Sequence, residues 1–116
     1  TPQTTHSLIT SQMETGRAYK IPVAHGEGNY FVDNDTLKSL HDNDQVLLRY
    51  CDAAGHVTDA ANPNGSVENI AGVCNRARNV FGMMPHPERA ADNLLGNTDG
   101  LVIFESILST ALSHPI

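Results

Sequence analysis

In the stretch GMMPHPERA, residues 82–90, a histidine and a glutamate stand two residues apart: His86 and Glu88, with Pro85 before the pair and Pro87 between them. An imidazole beside a carboxylate is the acid–base part of a nucleophilic catalyst. The carboxylate fixes the tautomer of the ring and favours its protonated form, so the ring can take a proton from a nucleophile and hand it to a leaving group. The prolines bear on the geometry. Each holds its own φ near about −65° and steers the residue before it, Met84 or His86, out of the helical region. The segment therefore reads as extended, not helical, and in an extended chain side chains two apart point to one side. His86 and Glu88 are expected to converge just beyond the end of a strand, NVFGMM. A solvated surface loop can carry the same spacing without catalysing anything, so spacing alone leaves both readings open.

A second histidine and glutamate lie two apart in AHGEGNY, at His25 and Glu27. Two glycines there, after a strand-like run, let backbone approach a ligand. The dinucleotide fingerprint is not met, because it needs glycine where Phe31 stands. A plain turn with a solvated Glu27 is the other reading. Cys51 and Cys74 each end an apolar, strand-like run, VLLRYC and IAGVC, and are too few for a disulfide scaffold. Both read as reduced, small buried residues. None of the six histidines is spaced i, i+4 from another and no Cys-x-x-Cys is present, so no metal site is expected.

The elements that must position these residues follow from pattern. YKIPVAH, residues 19–25, leans towards strand and runs into the glycine loop. DNDTLKSLHD offers Asp33 or Asp35 as a helix cap, with Leu37 and Leu40 on one face. QVLLRYC reads as a strand and NPNGS as a turn; its Asn64-Gly65-Ser66 also matches a glycosylation sequon, but the turn is the preferred reading. ENIAGVCN and NVFGMM read as a hairpin around the RAR link at residues 76–78. After Thr98 or Asp99 as cap, Leu101, Phe104, Ile107, Leu108, Ala111 and Leu112 form an apolar stripe at helical spacing, expected to face the core of a helix ending near Ser113. Strands mixed with helices point to an α/β or α+β fold with one core.

At 116 residues, all of 1–116 is read as belonging to a single domain, without repeat or linker. A net charge of −6 with only seven Lys and Arg argues against nucleic acid and against an anionic membrane surface. No apolar run approaches a membrane span and the first residues lack a signal-peptide plan, so a cytoplasmic location is expected.

IPVAHGEGNYF, RYCDAAGHVT, NPNGSVENIAGVCNRARNVFGMMPHPER and the tail GNTDGLVIFESIL, in that order, resemble the glutamine amidotransferase subunit of phosphoribosylformylglycinamidine synthase, a class I (triad-type) amidotransferase. The likeness runs from about Lys20 to Leu108, and the tail favours a separate small subunit. It implies a three-layer, flavodoxin-like α/β amidotransferase domain with a Cys-His-Glu triad. His86 would be the proton carrier and Glu88 its orienting carboxylate, with His25 near the active site or the partner interface. It further implies that the enzyme hydrolyses glutamine and passes ammonia to a synthetase subunit, with a small accessory subunit as a further partner. That synthetase, holding ATP and Mg²⁺, would convert formylglycinamide ribonucleotide to its amidine. No cofactor is expected in this chain.

The family's nucleophile sits on a Gly-x-Cys-x-Gly elbow upstream of the AHGEG loop, and no such elbow occurs here. GVCNR around Cys74 is not a substitute, because Arg76 stands where the elbow needs glycine and the pattern reads strand-turn-strand. The chain is thus expected to be the C-terminal part of one amidotransferase domain, inactive alone and self-associated or poorly folded without its N-terminal complement. A catalytically inert interaction module and another class I amidotransferase are the alternatives. Residues 3–17 resemble the family least and receive no role.

Overall fold

The computed structural model describes residues 1–21, 30–78, 80–90 and 98–113. Helix α1 (Asn34–Asp42) leads into strand β1 (Val46–Arg49); β2 (Ile70–Cys74) and β3 (Phe81–Met83) follow, and helix α2 (Leu101–Ser113) comes last. The strands form an antiparallel sheet in the order β1-β2-β3.

Of the two acidic cap candidates, Asp33 does the capping. Its backbone is extended, and its carboxylate accepts the Thr36 N–H at 2.7 Å, satisfying a donor that the first helical turn leaves without a partner. Hydrogen bonding from the Thr36 side chain, and then from its N–H, lowers the pKa of the Asp33 carboxyl. At the other end Asp44 adopts a left-handed conformation, φ 54°, and Gln45 N–H returns to the Leu40 carbonyl at 2.8 Å, which turns the chain into β1.

The strands sort their side chains to two faces. Leu47, Leu48, Ala71 and Cys74, with Tyr50 just past β1, pack with Ile9, Met13 and Ile103 on one side, the ladder shifting register around Leu48, whereas Val46 and Ile70 pack with Leu40 of α1 on the other. α2 and residues 7–13 therefore form one layer, the sheet the second and α1 the third, as the three-layer α/β class requires. Leu47 and Ile70 have no exposed surface; burying each contributes roughly 1.5–3 kcal/mol. Gly72 lies opposite Leu48 in the ladder, where a Cβ would meet the leucine side chain at 3.1 Å. The expected hairpin pairs Gly72 with Met83, Val73 with Gly82 and Cys74 with Phe81. At its link Arg78, φ 59°, reaches back to the carbonyls of His6, Asn43 and Asp44 at 2.6–3.3 Å.

Three expectations need correction. Residues 19–21 of the expected strand YKIPVAH are not β-structure, and the rest of it lies outside the described residues. The Lys20 N–H donates instead to the Asp99 carboxylate at 2.8 Å, which hooks this segment to the start of α2. Second, of the expected stripe of α2 only Ile107 packs against the core; Leu101, Phe104 and Leu108 do not, and the side chains of Ala111 and Leu112 lie outside the described residues. Ile103 (2% exposed) and Ser106 (fully buried) face the core, with Val102 and Ile107 beside them, while Leu101, Phe104 and Leu108 are 38%, 41% and 60% exposed. A helix this apolar carries two overlapping arcs, and the one chosen is that which meets residues 11–12: the Gln12 N–H donates to Ser106 Oγ at 2.9 Å and Ser11 Oγ to the Ser106 carbonyl at 3.2 Å. Third, residues 3–13, part of the stretch 3–17 to which no role was given, contribute to the core together with Pro2. Gln3 N–H bonds the Leu47 carbonyl at 2.8 Å, Pro2 bridges Leu48, and Ile9, Thr10 and Met13 are buried.

Candidate active site

The ladder between β2 and β3 runs one residue past β3, through Met84 N–H to the Ala71 carbonyl at 3.0 Å. Pro85 has no N–H to continue the ladder and makes only an isolated β-bridge, after which the chain turns away. It enters a single 3-10 turn, Pro87–Ala90, which corrects the expectation that this segment excludes helical geometry. The reason is positional. Proline is well suited to the first residue of a helical turn, where its fixed φ fits and its missing N–H needs no partner. The turn still brings the pair together: His86 Nδ1 lies 2.9 Å from Glu88 Oε1. The His86 side chain is 35% exposed and that of Glu88 58%, so the pair is half open to solvent.

A carboxylate at Nδ1 makes that nitrogen the donor of a neutral ring and leaves Nε2 as its basic site, the arrangement of a general base held by an acidic partner. Pro85, the residue before His86, is among the residues that line a cavity of about 540 Å³. Its polar wall includes Lys20, Asp52 and Asp99, and Tyr50 and Cys51 contribute to it as well. The cavity thus sets charged groups of both signs beside the strand end that carries the pair.

Two other histidines have carboxylate neighbours. His41 Nε2 is 3.0 Å from Glu68 Oε1, and His56 Nδ1 is 3.8 Å from Asp52 Oδ2; both pairs are on the surface. Contact alone therefore does not single out His86, and neither does the cavity, whose lining includes Asp52 of the His56 pair; what sets His86 apart is its place in the MMPHPER motif at the end of β3. His25 and Glu27 lie outside the described residues. Cys74 is buried in β2, and burial pushes its thiol up from the ordinary range, with Arg78 pulling it down and Asp44 adding to the rise. That is the opposite of an activated thiolate. Cys51 is half-buried. Among the described residues no three metal-ligating side chains converge, and no helix is long and apolar enough to cross a membrane.

The model of the CobB/CobQ-like glutamine amidotransferase domain matches residues 1–100. The chain is 52% identical over 107 residues to the phosphoribosylformylglycinamidine synthase subunit PurQ of Acaryochloris marina, covering 92% of this chain and 46% of that one. Over 101 residues it is 57% identical to the PurQ subunit of Salinibacter ruber, covering 87% and 43%. Among solved structures, a chain in the structure of PurLQS from Thermotoga maritima superposes with a TM-score of 0.72 at 39% identity, covering 94% of this chain and 43% of that one. The chain spans less than half the length of these relatives.

Proposed function

Because this chain belongs to the family of CobB/CobQ-like glutamine amidotransferase domains, we propose that it supplies the proton-transfer pair of a glutaminase, with His86 as the carrier and Glu88 as its orienting carboxylate. The observation that carries the reading is the 2.9 Å contact of His86 Nδ1 with Glu88 Oε1, held by prolines at the end of β3. The names of the PurQ relatives support the acceptor: ammonia for phosphoribosylformylglycinamidine synthase.

The nucleophile is a cysteine on a Gly-x-Cys-x-Gly elbow in the part of the enzyme beyond this sequence; neither Cys51 nor Cys74 takes that role, and this chain alone is inactive. His86 Nε2 accepts the thiol proton, and the thiolate attacks the side-chain amide carbon of glutamine. As the C–N bond breaks, the imidazolium returns the proton to nitrogen and ammonia leaves. Nε2 then takes a proton from water, whose oxygen attacks the thioester carbon, and the C–S bond breaks to release glutamate and the thiolate, which recovers the proton. Glu88 stabilises the imidazolium in both halves without itself being protonated. The ammonia passes to a synthetase subunit, accompanied by a small accessory subunit, which holds ATP and Mg²⁺ and makes the amidine of formylglycinamide ribonucleotide in the cytoplasm. His25 lies near this site or at the synthetase interface.

The test is His86→Asn in the complete enzyme. Glutamine-dependent synthesis should be abolished while synthesis from added ammonium salt is spared; equal loss of both would make His86 a structural residue and refute the assignment.

A further inference from the structure

The turn that carries His86 and Glu88 is short and half exposed, so something must hold it in place. Behind it lies Gly100, the buried residue immediately before α2. A Cβ built on Gly100 would lie 2.3 Å from the Pro87 carbonyl oxygen, 2.8 Å from Pro87 Cα and 2.9 Å from Pro87 C. These are the backbone atoms of the residue between the two members of the pair. Nothing about the φ of Gly100 demands glycine, since it is not among the residues with positive φ. Space alone demands it.

We infer that Gly100 is a positioning residue for the His86–Glu88 pair: its missing side chain lets α2 press directly on the Pro87 peptide and so sets where the imidazole stands. The inference rests on the catalytic reading of the pair given above. Neither partner can yield without consequence. The obstructing atoms are backbone in a proline whose φ is fixed, not the far end of a flexible side chain. α2 cannot recoil cheaply, because Ile103 and Ser106 are buried and Ser106 Oγ both donates to the Val102 carbonyl at 2.8 Å and accepts the Gln12 N–H at 2.9 Å. An alanine at 100 must therefore push the turn outward by about 1 Å to restore ordinary carbon–oxygen contact of roughly 3.5 Å.

A displacement of that size in a proton carrier costs about 10²-fold in rate. In the complete enzyme, Gly100→Ala should lower kcat for glutamine hydrolysis about 100-fold with KM for glutamine within about threefold, because the change moves a reacting group and leaves ground-state binding in place. Long-range ¹H–¹⁵N spectra of the imidazole provide a readout that overall stability does not move. The wild type should show the Nδ1-protonated tautomer at His86, and Gly100→Ala a mixture with the Nε2-protonated form. Gly82→Ala, where an added Cβ meets nothing within 4 Å, should leave both readouts unchanged.

Unchanged kcat and tautomer in folded Gly100→Ala would overturn the inference. If that variant fails to fold, the wild type decides: a nuclear Overhauser contact between Gly100 Hα and Pro87 Hα supports the seat, and its absence overturns it. His86→Asn separates the two failures. Full glutaminase activity in His86→Asn removes the catalytic reading whatever Gly100 does. A dead His86→Asn beside an unperturbed Gly100→Ala overturns the positioning role alone.

Discussion

Asn69 should be among the most sensitive polar positions outside the candidate site. It is 5% exposed, sits at φ 60°, and immediately precedes β2, whose partner β3 leads to His86. Its side-chain amide donates to the Thr58 carbonyl at 2.6 Å and to the Tyr50 carbonyl at 3.3 Å, and its Oδ1 accepts from Asn62 Nδ2 at 3.2 Å. Asn62 in turn accepts the N–H groups of Asn64, Gly65 and Ser66, so one side chain ties the NPNGS turn to the start of the central strand. In Asn69→Ala those three bonds are lost at roughly 1 kcal/mol each, and a β-carbon without polar compensation is held in the left-handed region at about 1 kcal/mol more. The expected loss is about 3–4 kcal/mol, which for a complete domain of more than twice this length lowers Tm by roughly 6–16 °C. Asn69→Gly keeps the backbone comfortable while losing the same bonds, and should be about 1 kcal/mol milder than alanine. Equilibrium urea unfolding of the complete enzyme's amidotransferase domain measures both. An alanine variant within about 0.5 kcal/mol of wild type, or glycine no better than alanine, would refute the reasoning.

The buried arc of α2 can be checked by contrast: Ile103→Ala should cost about 3 kcal/mol by leaving a cavity, and Leu108→Ala less than about 1 kcal/mol, in the same urea assay; the reverse order would restore the stripe expected from periodicity. Cys74 should impose a pH dependence. Because burial raises its thiol pKa in the folded state, the unfolded chain gives up its proton first; the contribution is intact below the unfolded thiol's pKa of about 8.5 and is lost as pH rises through the folded value. Urea midpoints should therefore fall above about pH 8.5 more steeply for wild type than for Cys74→Ala, and parallel profiles would contradict this.

Much of the molecule is legible along the chain because the signals are local. The Asp33 cap, the hairpin of β2 and β3, the NPNGS turn and the extent of α2 each depend on residues within a few positions of one another. The meeting of His86 and Glu88 is local too, and it survived a wrong expectation about the backbone between them: a 3-10 turn started by Pro87 joins the pair as well as an extended segment would. The strand expected at residues 19–21 failed because β-propensity describes fitness for a sheet without supplying one. The Lys20 N–H found its acceptor in Asp99, far along the sequence.

From the sequence alone, then, come the pair and its restricted spacing: an imidazole and a carboxylate that two prolines hold close, in motifs specific enough to carry the family likeness. Tertiary structure alone decided what lies behind that pair. Periodicity offers α2 two apolar arcs, and contact with residues 11–12 selects the one through Ile103 and Ser106. Residues 1–13 show little pattern, yet they close one face of the sheet. Gly100 looks like any glycine before a helix until the fold sets it against the Pro87 backbone. Each of these depends on which distant surfaces meet, and excluded volume between residues far apart in the chain leaves no periodic trace in either segment.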